Sequence, residues 1–230
     1  MTVLASPPQP QTWRTVQDLL DLLDRLGNIP ASRVRLSPFP GTATERDVTY
    51  IQDHENRTCE LIDGTLVEKA MGLRESLLAM LLVQYLGTFV RTQKLGVVSG
   101  PDGTMRMLPG LVRVPDVAFI SRARLPGDRV RNEPIPDVIP DLAVEVLSES
   151  NTRAEIARKR REYFTSGVRL MWIIDLQHRS ATIYTAMDQS VALDETGELD
   201  GADVVPGFKI ALSQLFSDLD SALDGGQAPS

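Results

Sequence analysis

Two carboxylates stand where apolar side chains are expected. The run Leu142-Ala143-Val144-Glu145-Val146-Leu147 reads as a buried strand except for Glu145. In Val114-Pro115-Asp116-Val117-Ala118-Phe119-Ile120, Asp116 is again a lone acid in an apolar segment. Pro115 ahead of it suits a strand start, an edge or a bulge. An unpaired carboxylate in such surroundings costs on the order of several kcal/mol unless a cation, a hydrogen-bond donor or a proton compensates. Singly, each acid has a plain structural explanation: a salt bridge to an arginine or a strand end open to water for Glu145, a turn or cap for Asp116. Together, two isolated acids on neighbouring strands are the oxygen-ligand pair that can hold a hard divalent cation such as Mg²⁺.

The elements that must position this pair follow from periodicity and punctuation. Val16, Leu19, Leu20, Leu22, Leu23 and Leu26 recur at helical spacing, and Gly27 is placed as a stop. Residues 29–53 carry little periodicity and read as irregular linking structure with a short helix or strand near Asp47–Gln52. Thr58–Ile62 and Thr65–Lys69 flank Asp63-Gly64, a hairpin signal because Asp-Gly readily adopts the positive φ of a tight turn. Leu73–Arg91 reads as the longest helix, with the broad apolar face of a core element. Strands are expected at Leu95–Ser99, Thr104–Leu108, Val112–Ile120 and Leu142–Leu147. Asn151 is a candidate cap for a helix running to Ser166 and ended by Gly167. Arg169–Ile174 and Ala181–Thr185 follow as strands, with residues 200–207 as loop, Phe208–Leu212 as a last strand or edge, and a terminal helix over Ser213–Leu223. A Pro-rich leader at residues 6–10 and a disordered tail at 225–230 complete the reading. The division expected is an N-terminal extension with one helix over 1–50 and one α/β domain over 51–224.

Bulk properties narrow the chemistry. The chain has 230 residues, 42% hydrophobic and 24% charged, which is ordinary for one globular core. Its one cysteine, Cys59, leaves no internal disulfide, and two histidines, His54 and His178, disfavour zinc hydrolases built on a His cluster. Apolar stretches such as Leu77–Val83 fall short of a membrane span, so no membrane association is expected and cytoplasmic is the default. A net charge of −7 argues against a nucleic-acid coat protein, which needs a positive surface. The basic residues nevertheless gather: Arg122, Arg124, Arg129 and Arg131 in one loop, Arg153, Arg158, Lys159, Arg160 and Arg161 in one segment. Solvated faces account for either cluster as well as a binding surface does.

Pro115-Asp116 followed some thirty residues later by Glu145 resembles the bipartite metal motif of PD-(D/E)XK nucleases. In that superfamily a lysine stands two residues after the second acid; here the position is Leu147. The Uma-two family is similar in this same departure. The blocks CELIDGTLVEK, VRVPDVAFIS, PDLAVEVLSESNTR, ARKRREYFTSGVRLMWIID and LSQLF resemble that family's blocks in order, over roughly Glu60 to Phe216. The resemblance implies a restriction-endonuclease-like α/β fold, a central mixed sheet flanked by helices. It implies a Mg²⁺- or Mn²⁺-dependent phosphodiester hydrolase acting on DNA first and RNA second, and it admits a homodimer. Asp116 and Glu145 would ligate the metal, with the backbone carbonyl of Val146 as a further oxygen. Glu60 matches an upstream acid, Lys159 the lysine displaced onto the following helix, and Tyr163 a tyrosine lining the site.

Read without the resemblance, Glu60 is equally a hairpin acid and Lys159 a solvated helix lysine, since Arg153 and Arg160 fall near the same face. Glu155 stands where the family often has aspartate and is placed to pair with Lys159 at i, i+4. Glu75 stands where many members have histidine. Asp175 reads as a turn residue and Trp172 as core. Two other classes compete with the enzyme: a nuclease-fold module that binds nucleic acid or a protein without cutting, favoured by Leu147 and the acidic balance, and a structural protein in which Glu145 pairs with an arginine.

Overall fold

Alternation along one strand organises the molecule. In the computed structural model, which describes residues 15–125, 127 and 129–224, strand β7 (Leu142–Leu147) runs through the middle of a six-stranded sheet. Its neighbours are β6 (Val117–Ser121), antiparallel, and β8 (Leu170–Asp175), parallel. β3 (Gly96–Ser99) closes one edge, and β9 (Ser180–Ala186) and β10 (Gln189–Leu193) the other, in the order β10-β9-β8-β7-β6-β3. Successive side chains of a strand point to opposite faces. Leu142, Val144 and Val146 join Trp172 in the core beneath α3 (Leu73–Gln93) and α5 (Leu212–Leu223), whereas Ala143 joins Met171, Ile173 and Tyr163 on the other side.

A second sheet of four strands, β2-β1-β5-β4, lies beside the first. It comprises β1 (Cys59–Ile62), β2 (Thr65–Glu68), β4 (Met105–Leu108) and β5 (Leu111–Arg113). Asp63 and Gly64 turn the β1–β2 hairpin with φ of 48° and 68°, which the Asp-Gly pair predicts. Cys59 and Leu61 pack with Val48 and Ile51 of α2 (Glu45–Glu55), so Glu60 between them faces the opposite side. A small hairpin, β11 (Glu198–Asp200) with β12 (Lys209–Ala211), leads into α5.

Three of the five helices among the described residues start where a side chain satisfies their free N–H groups. Thr15 with Asp18 caps α1 (Val16–Arg25), and Thr44 with Asp47 caps α2, each as a reciprocal capping box. Thr152, not Asn151, caps α4 (Arg153–Ser166); Asn151 instead accepts from the Ser148 N–H and holds the preceding turn. Gly167 ends α4 at φ 103°. Gly27 ends α1 at φ 92°, and a Cβ there would meet the Glu155 backbone nitrogen at 2.6 Å, so α1 docks onto α4 only through a glycine.

Four expectations change. The segment Val112–Ile120 is not one strand: it breaks into β5 and β6, in different sheets, because Pro115 lacks an N–H and Asp116 bends the chain. The region near Asp47–Gln52 is a full helix. Two strands, β10 and β11, lie where no element was expected. Helix α3 is apolar and long enough to cross a membrane by composition, but Leu78, Ala79, Leu82, Leu86 and Val90 bury one face of it in the core. The leader at 6–10 and the tail at 225–230 lie outside the described residues.

Candidate active site

Asp116 sits at the break between the two sheets and ties them together. Its N–H donates to the Val144 carbonyl at 3.0 Å, and its Oδ2 accepts the Val146 N–H at 2.6 Å. The carboxylate thus takes the place of a strand neighbour that β6 no longer supplies. Its Oδ1 is 2.8 Å from the Lys69 ammonium, which also donates to the Val114 carbonyl at 2.7 Å and the Pro101 carbonyl at 3.1 Å. Lys69 follows β2 directly and is buried at its charged end, a residue to which sequence reasoning assigned no role.

Glu145 points from β7 toward α4. Lys159 donates to its Oε2 at 2.8 Å and the Tyr163 hydroxyl to its Oε1 at 2.5 Å. Lys159 also lies 3.5 Å from Glu60 Oε1, on the facing surface of the four-stranded sheet. Glu60 is clamped in turn by Arg113, whose Nη1 donates at 2.6 Å, and by the Val114 N–H at 3.3 Å. Arg113 also grips Glu162, which Arg158 holds from the other side at 2.7 Å. Glu60, Asp116, Glu145, Lys159 and Tyr163 are all buried, as is Val146. The structure therefore gathers the sequence-predicted residues into one cluster and adds Lys69, Arg113 and Glu162.

Electrostatics follow from burial and pairing. Burial works against the charge on Glu60, but Arg113, Lys159, Lys69 and the Val114 N–H outweigh it and hold the carboxyl at about 2. Glu145 goes the other way: burial, reinforced by Asp116 and Glu60, pushes it above the ordinary carboxylate range despite Lys159 and Lys69. Burial would discharge Lys159, yet Glu145 and Glu60 raise its pKa and keep it an ammonium. Tyr163 is held well above its usual value by burial and by Glu145 and Glu60, so it remains a hydroxyl donor.

The helix that delivers these groups has an unusual buried stripe. Glu155, Lys159, Tyr163 and Ser166 recur at spacings of four, four and three, one face of a helix made of polar side chains. Glu155 does not pair with Lys159 as the i, i+4 spacing suggested. It meets the buried Arg33 through two hydrogen bonds of 3.1 and 2.9 Å, because Lys159 is already committed to Glu145. Asp175 accepts the Gln177 and His178 N–H groups, as a turn residue does. Glu145 has lysine and tyrosine partners rather than the arginine a purely structural role called for. The Arg122–Arg131 cluster disperses, with Arg124 bound to Asp141 and backbone carbonyls and Arg122 to the Lys94 carbonyl.

The donor chemistry suits a hard cation. Mg²⁺ is commonly bound through one or two carboxylates and keeps several waters. Among the described residues no three His, Cys, Asp or Glu side chains form a cage of their own, but Asp116 and Glu145 offer four carboxylate oxygens. Each of these oxygens has one donor here and a second lone pair in reserve. The Val146 carbonyl lies on the same strand edge as its N–H, which already reaches Asp116, and adds a fifth oxygen.

A mixed sheet with flanking helices, Asp116 at the break between β5 and β6 and Glu145 on the neighbouring β7 make up a restriction-endonuclease-like α/β protein. The chain belongs to the Uma2 family, described as "Putative restriction endonuclease", whose profile matches residues 46–213. Its fold is similar to the crystal structure of a "putative nuclease belonging to DUF820" from Anabaena variabilis, with a TM-score of 0.61 and 18% identity over 70% of this chain and 91% of that one. No curated protein matches the sequence.

Proposed function

We propose that this protein is a metal-dependent endonuclease that hydrolyses phosphodiester bonds in DNA. The observation that carries the reading is the meeting of Asp116, Glu145 and Lys159 from three separate elements, with the Lys159 ammonium 2.8 Å from Glu145. Lys159 reaches Glu145 from α4 and so supplies the cation that Leu147 does not. Hydrolysis adds a water oxygen to phosphorus and breaks the bond to the opposite ester oxygen, which leaves as an alcohol after gaining a proton. Mg²⁺ or Mn²⁺ held by Asp116, Glu145 and the Val146 carbonyl would polarise the phosphate and lower the pKa of the attacking water. The chain's own residues do the rest. Lys159 offsets charge developing on the phosphoryl oxygens, Tyr163 fixes the Glu145 rotamer, and Glu60, itself anchored by Arg113, keeps Lys159 aimed.

A second reading rests on one observation: every oxygen of Asp116 and Glu145 already has a protein donor, and two of those donors are ammonium groups. A nuclease fold locked in that state binds nucleic acid without cutting it. The deciding experiment is Mg²⁺- and Mn²⁺-dependent cleavage of single- and double-stranded DNA and RNA by the wild type and by Asp116→Asn, Glu145→Gln and Lys159→Met, each checked for folding. Metal-dependent cutting lost in all three folded variants supports the enzyme. No cutting by wild type, with no calorimetric metal binding, leaves the binding module. Cutting that survives all three variants refutes the site.

A further inference from the structure

A cavity of about 710 Å³ opens where β7 and β8 end. Leu147 forms part of its wall and points to the same sheet face as Glu145, two residues or roughly 7 Å along the strand. Ile156 and Arg160, which flank Lys159 on α4, line it from the helix side, and Arg74 at the start of α3 lines it from across. Glu145 and Lys159 are buried and do not themselves line the cavity, but their chain neighbours Leu147, Ile156 and Arg160 do.

The arginines here differ from eight others among the described residues. Arg33, Arg35, Arg106, Arg113, Arg124, Arg158, Arg169 and Arg179 each meet an acid at 3.0 Å or less. Arg74, Arg153 and Arg160 all line the cavity, and none has an acid partner among the described residues. Arg160 is half-buried, with its guanidinium 4.9 Å from the centre of the Tyr184 ring and its Nε buried without an acceptor among the described residues. Its Nε is sealed from the cavity, so the Nη groups are the donors a ligand can reach, and a planar guanidinium is suited to phosphate oxygens. Three acids share the lining, but Asp175 is spent on the 177–178 N–H groups and on His178 Nδ1 at 2.9 Å. Arg74, Arg153 and Arg160 then outnumber Glu75 and Glu149, in a chain whose net charge is −7.

We propose that this cavity binds the sugar–phosphate backbone of the substrate strand, with Arg74, Arg153 and Arg160 donating to consecutive phosphates next to the scissile bond. The proposal rests on the nuclease reading for its substrate, but its test does not need cleavage. Fluorescence anisotropy in EDTA measures binding of a labelled single-stranded DNA oligonucleotide, with RNA of the same sequence as a second arm. The variant is Arg74→Gln/Arg153→Gln/Arg160→Gln. Its control, Arg46→Gln/Arg91→Gln/Arg161→Gln, removes the same charge from arginines that also lack ion pairs among the described residues but do not line the cavity. The cavity variant is expected to bind about tenfold or more weakly at moderate salt, and to lower the slope of log K against log salt by about 2, three contacts at roughly 0.7 each. The control keeps most of the affinity. Because Arg160 is packed on Tyr184, the single Arg153→Gln variant, at an exposed position, repeats the test without risk to folding; a loss of about 1 in slope is not expected there, but about 0.7 is. Equal losses in the two triple variants, or no binding by wild type, overturn the proposal. Weakened binding without cleavage by wild type supports the cavity and removes the nuclease; cleavage with unweakened binding does the reverse. Tighter binding of RNA with the same loss in the cavity variant also supports the phosphodiester site.

Discussion

One strand, β7, has two faces that are stabilised by different physics. On one, Leu142, Val144 and Val146 meet α3 and α5 in a core that includes Trp172, Phe208 and Phe216. On the other, Glu145 meets Lys159 and Tyr163 of α4, with Glu60, Arg113 and Asp116 behind them. The apolar face gains from burial, which is non-directional and tolerates exchange of one hydrocarbon for another of like volume. The charged face holds only because each ion has a named partner at hydrogen-bond distance, and replacing such a network by apolar groups is often neutral or stabilising. A charged face retained at that disadvantage points to chemistry rather than to stability.

The largest effect is expected on the charged face and in activity. Asp116→Asn or Glu145→Gln removes a negative ligand while keeping the side-chain shape. Loss of several kcal/mol of metal-dependent transition-state stabilisation lowers the cleavage rate about 10³-fold or more. Melting by circular dichroism should show both variants folded. A variant that cuts at the wild-type rate separates the charged face from the reaction.

The apolar face should respond in stability. Trp172 is fully buried against Phe208, with ring centres 6.2 Å apart. Trp172→Ala is expected to cost about 3–5 kcal/mol in urea unfolding. Any Trp172→Ala protein still folded should bind Mn²⁺ as the wild type does, measured by calorimetry, since nothing on the other face has changed.

Lys69 tests whether the charged face is balanced pair by pair. Removing its ammonium in Lys69→Met leaves Asp116 buried beside one backbone N–H, a loss of about 3–5 kcal/mol. The double variant Lys69→Met/Asp116→Leu should recover most of it, because neither charge then remains. Chemical denaturation of the three proteins decides this. A double variant no more stable than Lys69→Met would mean that Asp116 is held by its neighbours collectively rather than by Lys69.

The two faces also differ in how legible they were. Alternation and turn residues located β7, the Asp63-Gly64 hairpin and the long helix α3 to within a few residues, because hydrocarbon periodicity is what a core face writes into sequence. The acids Asp116 and Glu145 stood out by interrupting that periodicity. The buried face of α4 did not, since Glu155, Lys159 and Tyr163 at helical spacing look like a solvated stripe. Only the family resemblance picked out Lys159. Lys69 and Arg113 stayed hidden for another reason. Each follows or ends a short strand of the smaller sheet, and their acid partners lie more than forty residues away, so no local pattern joins them. The break at Pro115 was readable as a strand start or bulge, but not that it transfers the chain between sheets. Arg33, the true partner of Glu155, sits 122 positions away in a segment with no periodicity at all.

The smallest effects are expected from protons on the charged face, because two of its acids are shifted in opposite directions. Glu60 titrates at about 2 in the folded protein against 4.5 for an ordinary glutamate. Between those values the unfolded chain binds more protons, so stability rises with pH there, and the contribution of Glu60 is complete above about 4.5 and lost as pH falls toward 2. Glu145 has its folded value raised. In its case the folded state binds more protons, so its contribution is full below 4.5 and declines as pH climbs through the raised value. The two changes lie on opposite sides of the same pH and together give the wild-type profile a maximum near it, and single variants assign each limb to its carboxyl. In urea titrations from pH 2 to 8, the disadvantage of Glu60→Gln relative to wild type should shrink as pH drops below 4.5. The relative stability of Glu145→Gln should improve as pH rises above it. Parallel profiles for the wild type and both variants would mean that neither carboxyl changes its proton affinity on folding, and that the pairing around Glu60 and Glu145 is too weak to govern the site.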